Sequence, residues 1–430
     1  MFSRLKKRFG KAAATPAPAA RTAAAAAAFL RRDAVFNRQG RLAGHLFRID
    51  AVAGTTRREA DGALLAALSA NPQAWRASLA FVPISSASLD LAVVDALADG
   101  NLVLLLDLAP LDAGPTFAAL CQRLEALSQR GVAIGLYRQP GHPDFGEMVP
   151  LTDYGVVDVA ATDPDQIRQF SAAFRAMPHV GPALLLALGI ETADEHRFCH
   201  HWHFDYFQGA FADAAPPPAN EAADPGKMQL LHLLRLVQSD AETHEIAAAI
   251  KEDPPLTFRL LRYLNSPLQG LSQPVDSITQ ALTLLGRQPL LRWLTVLLFS
   301  VHQPLIGDWL LVNSALTRGR LMELLGVTVL PGSPPDALFL TGAFSCLDRL
   351  LRQPLAELLA EIPLAEEIRT ALLNGNGPYA PLLALAEAAD AFDRQRITPC
   401  AAALGIPADT VNRALLAATA WASEVSKYWD

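Results

Sequence analysis

The sequence predicts two folded units of different class, an α/β barrel-like N-terminal domain and an all-α C-terminal domain, on three observations. Between residues 29 and 211, short apolar runs alternate with longer amphipathic stretches, the pattern of successive βα units. After Gly226 the β-branched runs give way to apolar residues at helical spacing. Between the two lies ADAAPPPANEAADPG, Ala212 to Gly226, whose consecutive prolines preclude regular structure and favour an extended spacer. At 430 residues the chain is long enough to give each unit a core of its own.

Taken in order, residues 1–28 form a basic leader: Arg4, Lys6, Lys7, Arg8, Lys11 and Arg21 face no acidic residue, among Ala and Pro. Such a composition reads as disordered chain. Phe2, Leu5 and Phe9 would nevertheless share one helical face, a pattern that allows weak contact with a membrane surface. In residues 29–211, Leu102–Leu106, Val132–Leu136, Val156–Val159 and Leu184–Leu188 read as buried strands, and Phe117–Ser128 as a helix between the first two. In residues 227–430, Asp253 is a helix N-cap with Pro254 in the first turn, and Leu256, Leu260, Leu261 and Leu264 follow on one face. Asn265 and Ser266 close that helix by hydrogen bonding. Ser277 and Gln280 form a capping box, and Gly286 supplies the stop. With its own caps and apolar stripes, residues 227–430 are expected to fold independently.

Composition removes several classes. Hydrophobic residues at 51% exclude a disordered chain, and 18% charged residues exclude a polytopic membrane protein. The longest apolar segment, Leu290–Val301, contains Arg292 and is shorter than the roughly 20 residues of a bilayer span. A net charge of −7 argues against nucleic acid as a partner. Cysteines 121, 199, 346 and 400 are too scattered for a zinc knuckle or a disulfide framework, which fits a reducing cytoplasm. The chain has no GxSxG, P-loop or GxGxxG.

The stretch IAAAIKEDPPLTFRLLRYLNSPLQGLSQPVDSITQALTLLGRQPLLRWLTVLLFSV, Ile246 to Val301, resembles the HDOD domain of bacterial signalling proteins. The Asp-Pro before a helix, the Asn-Ser pair and the Ser-Ile-x-x-Ala-x-x-x-Leu-Gly helix match in order. LTGAFSCLDRLL, IPLAEEI and AEAADAFD further on are similar to the later part of HDOD domains in two-domain proteins related to cyclic di-GMP phosphodiesterases. The partner domain there is a degenerate EAL domain. Upstream, RDAVFNRQGRLAGHLFRID and ALGIETADEHRFCHHWHFDYFQGAF resemble the opening and closing segments of such a domain. About 180 residues stand where a (β/α)₈ barrel takes roughly 250, so shortened or missing elements are expected.

What the resemblance implies about chemistry can be followed residue by residue. EAL phosphodiesterases gather carboxylates around Mg²⁺ or Mn²⁺, which activate a water. The signature glutamate falls on Leu46, the paired aspartates near Tyr137-Arg138, and the lysine on Val157, so three roles are missing. Asp107, Asp158, Glu191 and Gln208 persist near strand ends and, with Tyr137 and Arg138, are the candidates for a barrel mouth. HD hydrolases use an adjacent His and Asp as metal ligands. This chain has no such dipeptide, and its corresponding segment, Gly342 to Ser345, has no imidazole. His196, Cys199, His200 and His203 recur at helical spacing, but ligands on one straight helix close a zinc tetrahedron poorly, and Phe198 and Trp202 are expected to face inward. The resemblance therefore implies a cytoplasmic signalling protein without catalysis or cofactor, acting through protein partners, with cyclic di-GMP a candidate ligand. Two alternatives remain: a residual phosphodiesterase using Asp107, Asp158 and Glu191, and a non-hydrolysing cyclic di-GMP sensor using Tyr137 and Arg138.

Overall fold

The computed structural model describes residues 28–426 apart from 51–53, 73–74, 77, 98–99, 180, 213–224, 254–255, 258–259, 262–276 and 299–305. Nearly all of the leader and most of the spacer, and with them Pro254, Leu264, Asn265 and Ser266, lie outside the described residues.

Eight strands close into a barrel in sequence order: β1 (Phe29–Asn37), β2 (Leu42–Asp50), β3 (Leu79–Ser85), β4 (Leu102–Asp107), β5 (Ala133–Tyr137), β6 (Tyr154–Asp158), β7 (Leu184–Leu188) and β8 (Tyr206–Phe207). β1 runs antiparallel to both β2 and β8, and the other neighbouring pairs are parallel. Of the shortened or missing elements expected, no strand needed for closure is missing. Economy is found in the connections instead. β1 and β2 are joined by a hairpin turn, with the Asn37 side-chain oxygen accepting from the backbone N–H of Gln39 and Arg41. The remaining connections carry α1 (Arg57–Ser69), α2 (Ala92–Leu97), α3 (Phe117–Ser128), α4 (Phe145–Met148), α5 (Pro164–Ala176) and α6 (Ala193–His201), of which α2 has six residues and α4 four. Thr56 and Thr192 start α1 and α6 with complete capping boxes to Glu59 and Glu195.

Alternation along each strand separates two apolar layers. Val35, Leu46, Phe81, Val103, Leu105, Val156 and Leu186 fill the barrel interior, where Phe81, Tyr154 and Tyr206 pack ring against ring at 5.8–5.9 Å. Leu104, Leu106, Ile134, Leu136, Val157 and Leu185 point outward beneath the helices. Burial on both faces is what made these strands read as continuous apolar runs.

The C-terminal half is helical: α7 (Pro225–Gln238), α8 (Thr243–Lys251), α9 (Ile278–Leu285), α10 (Arg287–Leu298), α11 (Ile306–Val329), α12 (Pro335–Phe344), α13 (Leu347–Leu351), α14 (Leu355–Glu361), α15 (Glu366–Asn374), α16 (Ala380–Asp390), α17 (Arg394–Ala403) and α18 (Ala408–Ser426). Asp253 caps as expected, its carboxylate accepting from Leu256 N–H at 2.9 Å, and Leu256 and Leu260 are buried. Gly286 ends α9 at φ +77°, a left-handed conformation that favours glycine. The capping box at Ser277 is corrected: Ser277 holds the N-cap position, but its side chain makes no cap hydrogen bond. The apolar segment near Leu290 is α10, buried in the helical core, and no helix among the described residues is long and apolar enough to cross a membrane. α11 and α12 cross with backbones almost touching. A Cβ on Gly342 would lie 2.6 Å from the Arg318 carbonyl carbon and oxygen, so only glycine permits this approach.

The two units share a wall. The hairpin contributes no helix to the ring around the barrel, and α11 and α18 take that place: Leu416 joins the barrel-side apolar cluster, with Leu310 and Ala420 packed against it, while Phe29 inserts into the helical core. The Asn412 side chain acts like a short strand edge, accepting from Leu30 N–H at 2.8 Å and donating to Ala28 C=O at 2.9 Å. A chain cut at a protease site engineered into residues 213–224 is therefore expected to elute as one species in gel filtration at neutral pH. Separate elution of the two fragments would contradict the shared wall.

Candidate functional site

The carboxyl ends of the parallel strands carry inward-facing residues one step beyond the apolar interior. Tyr137, at the end of β5, closes that interior. Burial pushes its phenol up to about 12, while the charges acting on it are Arg48, Arg57, Asp107 and Asp158. Tyr137 thus lies in the field of Asp107 and Asp158 and of two arginines that the sequence reading did not name. Arg48 is placed by the period of β2, two residues beyond Leu46, and Arg57 by the first turn of α1.

Each carboxylate with a described partner at this mouth is held by an arginine or an amide. Arg48 Nη2 donates to Asp33 at 2.6 Å, and Arg31 Nε reaches the same carboxylate at 3.0 Å. Arg57 pairs with buried Asp61 at 2.9 Å, whose other oxygen accepts from Ser85 N–H. Gln139 Nε2 donates to Asp107 at 2.7 Å, its carbonyl accepts from Leu108 N–H, and Arg57 stands 3.9 Å from Asp107. Carboxylates paired in this way are ligands for the protein's own cations.

The other predicted residues fall outside the cluster or serve structure. Gln208 is buried and accepts from Gly189 N–H at 3.2 Å. Glu191 is exposed before α6, its backbone N–H donating to Glu195. Arg138 follows β5 half-buried, its backbone N–H donating to Val156 C=O. Val157, where the resemblance places a lysine, points away from the mouth and under the helices. A lysine at that register would not reach the site.

The histidine-rich face is corrected in its details. Cys199 is the residue that turns inward, fully buried, while Phe198 and Trp202 are only partly covered. His196 stacks on Phe211 with ring centroids 4.4 Å apart, and His200 lies over Phe207. His203 stands beyond the end of α6 at φ +62°. Among the described residues no group of three or more His, Cys, Asp or Glu is arranged to hold a metal ion.

Residues 227–303 match the family model of the HDOD domain, a stretch that includes α7 to α10 and ends before α11. Over 309 residues the chain is 26% identical to cyclic di-GMP phosphodiesterase CdgJ of Vibrio cholerae, spanning 72% of this chain and 71% of that protein. It is 30% identical over 213 residues to uncharacterized protein YuxH of Bacillus subtilis, covering 47% of this chain and half of YuxH. Among solved structures, an EAL domain protein from Listeria monocytogenes aligns with 43% of this chain and 87% of its own, at 13% identity and a TM-score of 0.35.

Proposed function

We propose that this chain, with an HDOD domain in its helical half and a closed barrel before it, is a non-catalytic regulator in cyclic di-GMP signalling that works by binding other proteins. One observation carries the reading. At the position to which the resemblance assigns the metal-binding glutamate stands Leu46, with none of its surface exposed, inside the barrel beside Val35 and Phe81. A metal-dependent diesterase needs several carboxylate oxygens converging on Mg²⁺ or Mn²⁺. Asp33, Asp61 and Asp107 are instead committed to Arg48, Arg57 and Gln139, so the metals that the resemblance implies do not fit this residue set. The link to cyclic di-GMP rests on the likeness to CdgJ.

A second reading is favoured by Arg48 and Arg57 beside Tyr137: two cations and an aromatic ring suit a phosphodiester that is bound and left whole. Incubation of the full chain with cyclic di-GMP and excess Mg²⁺ or Mn²⁺ is expected to leave the dinucleotide intact by chromatography. Metal-dependent appearance of the linear product, lost in Glu191→Gln, would overturn the proposal. Saturable binding that disappears in Arg48→Ala would select the sensor reading over protein binding alone.

A further inference from the structure

Most of the wall between barrel and helices is apolar, but one strip of it is polar, and its chemistry is unlike that of a permanent core. Arg32 leaves β1 and reaches Asp390 of α16 at 3.1 Å, with Thr317 of α11 and Thr419 of α18 accepting from its other nitrogen at 3.3 and 3.1 Å. Its side chain is 7% exposed and that of Asp390 3%. Beside it, His45 of β2 is buried with its Nε2 3.4 Å from the side-chain amide of Asn313.

Two features make the strip separable. Asp390 is shared: Arg318, within the helical half, donates to its second oxygen at 2.9 Å, so withdrawal of Arg32 leaves no orphaned carboxylate. Thr419 likewise keeps its own bond to Leu415 C=O at 2.8 Å. Within this strip, the groups that the barrel side releases are an arginine and a histidine, both readily hydrated.

The groups facing His45 decide what a proton does there. From β1 comes the Arg32 cation, from α11 the neutral Asn313, whose carbonyl oxygen accepts from Thr317, and from its own strand the Phe47 ring. The carboxylate of Asp390 lies beyond Arg32 and is already bound by two guanidiniums. An imidazolium at this place would be buried against a cation with no carboxylate of its own. Burial and Arg32 accordingly hold His45 well below the ordinary histidine value.

We propose that the β1–β2 wall and the α11–α18 face form a proton-released latch, closed when His45 is neutral and opened when it is protonated, which frees the helical half from the barrel without unfolding either. The sign follows from linkage. The depressed value belongs to the closed state, and the ordinary value of about 6.5 to the open one. Closure is at full strength above about pH 6.5, and its equilibrium constant then falls tenfold per pH unit until the closed-state value is reached.

Hydrogen exchange of the full chain at pH 7.5 and 5.5, corrected for intrinsic rates, reads the latch directly. Residues 28–37 and 408–426 are expected to lose protection at the lower pH while β4 and β5 keep theirs. His45→Gln, neutral and still able to accept from Asn313, is expected to remove the response, and Arg32→Ala to reduce protection of 408–426 at both pH values. Unchanged protection in the wild type, an undiminished response in His45→Gln, or parallel loss in β4 and β5 would each overturn the proposal, the last because it reports global unfolding.

Discussion

Asp390→Ala is expected to lower stability by about 3–5 kcal/mol, the cost of stripping the shared partner from buried guanidiniums. Arg32 and Arg318 both end on this carboxylate, at 3.1 and 2.9 Å, from opposite sides of the shared wall. Without it, two cations face each other under cover, and Ser345 and the two threonines supply only neutral oxygens. Arg32→Ala should cost less, about 1–3 kcal/mol, because Asp390 keeps Arg318. Urea midpoints of the two variants against wild type check the order. Equal losses would mean that Asp390 does not bridge the units.

Leu46→Glu restores the residue type that the resemblance assigns to this position and is expected to yield no hydrolysis and a less stable protein. The side chain at 46 lies within the apolar interior, where an introduced carboxylate is desolvated and favours its neutral form. A carboxyl whose folded value is raised above its unfolded value of about 4.3 contributes most below that value, and stability is lost as pH rises through the folded one. The variant should therefore lose several kcal/mol relative to wild type at pH 8 and less at pH 6. Denaturation at both values measures this. An undiminished midpoint with new metal-dependent cleavage of cyclic di-GMP would show that Leu46 alone silences the barrel.

The strands of the barrel were legible because burial on both faces leaves runs such as Leu102–Leu106 with hardly a polar interruption. Asp107, Tyr137 and Asp158 were legible for a related reason: each ends such a run. Arg48 could have been found by counting two residues onward from Leu46 along β2, and Asp33 by reading RDAVFNRQGRLAGHLFRID as a hairpin that places Asp33 opposite Leu46. Arg57 carries a weaker signal, an i, i+4 pair with Asp61 that usually marks a solvated helix face. The shared wall gave none. Asn313, Thr317 and Asn412 look like exposed helix positions, and their partners lie hundreds of residues away on β1 and β2. Ser277 errs in the other direction, since the capping pattern is present and the hydroxyl makes no cap bond, so pattern and bond are separable.

The partnership of β1 with α18 also sets a timetable for synthesis. Leu30 and the side chain of Asn412, which bond directly, are 382 positions apart. A ribosome adding about 5–20 residues per second delivers the cover roughly 20–80 s after the strand. By then β8 has long emerged and the sheet can close, leaving the nascent barrel complete but for one bare side, with Leu30 and Phe47 among the residues of that hairpin. Exposed apolar surface of this kind is what trigger-type chaperones bind and what crowded nascent chains stick through. A stalled or truncated message that ends in the helical half would release a barrel lacking its last wall, and quality control would meet it as an unfinished protein.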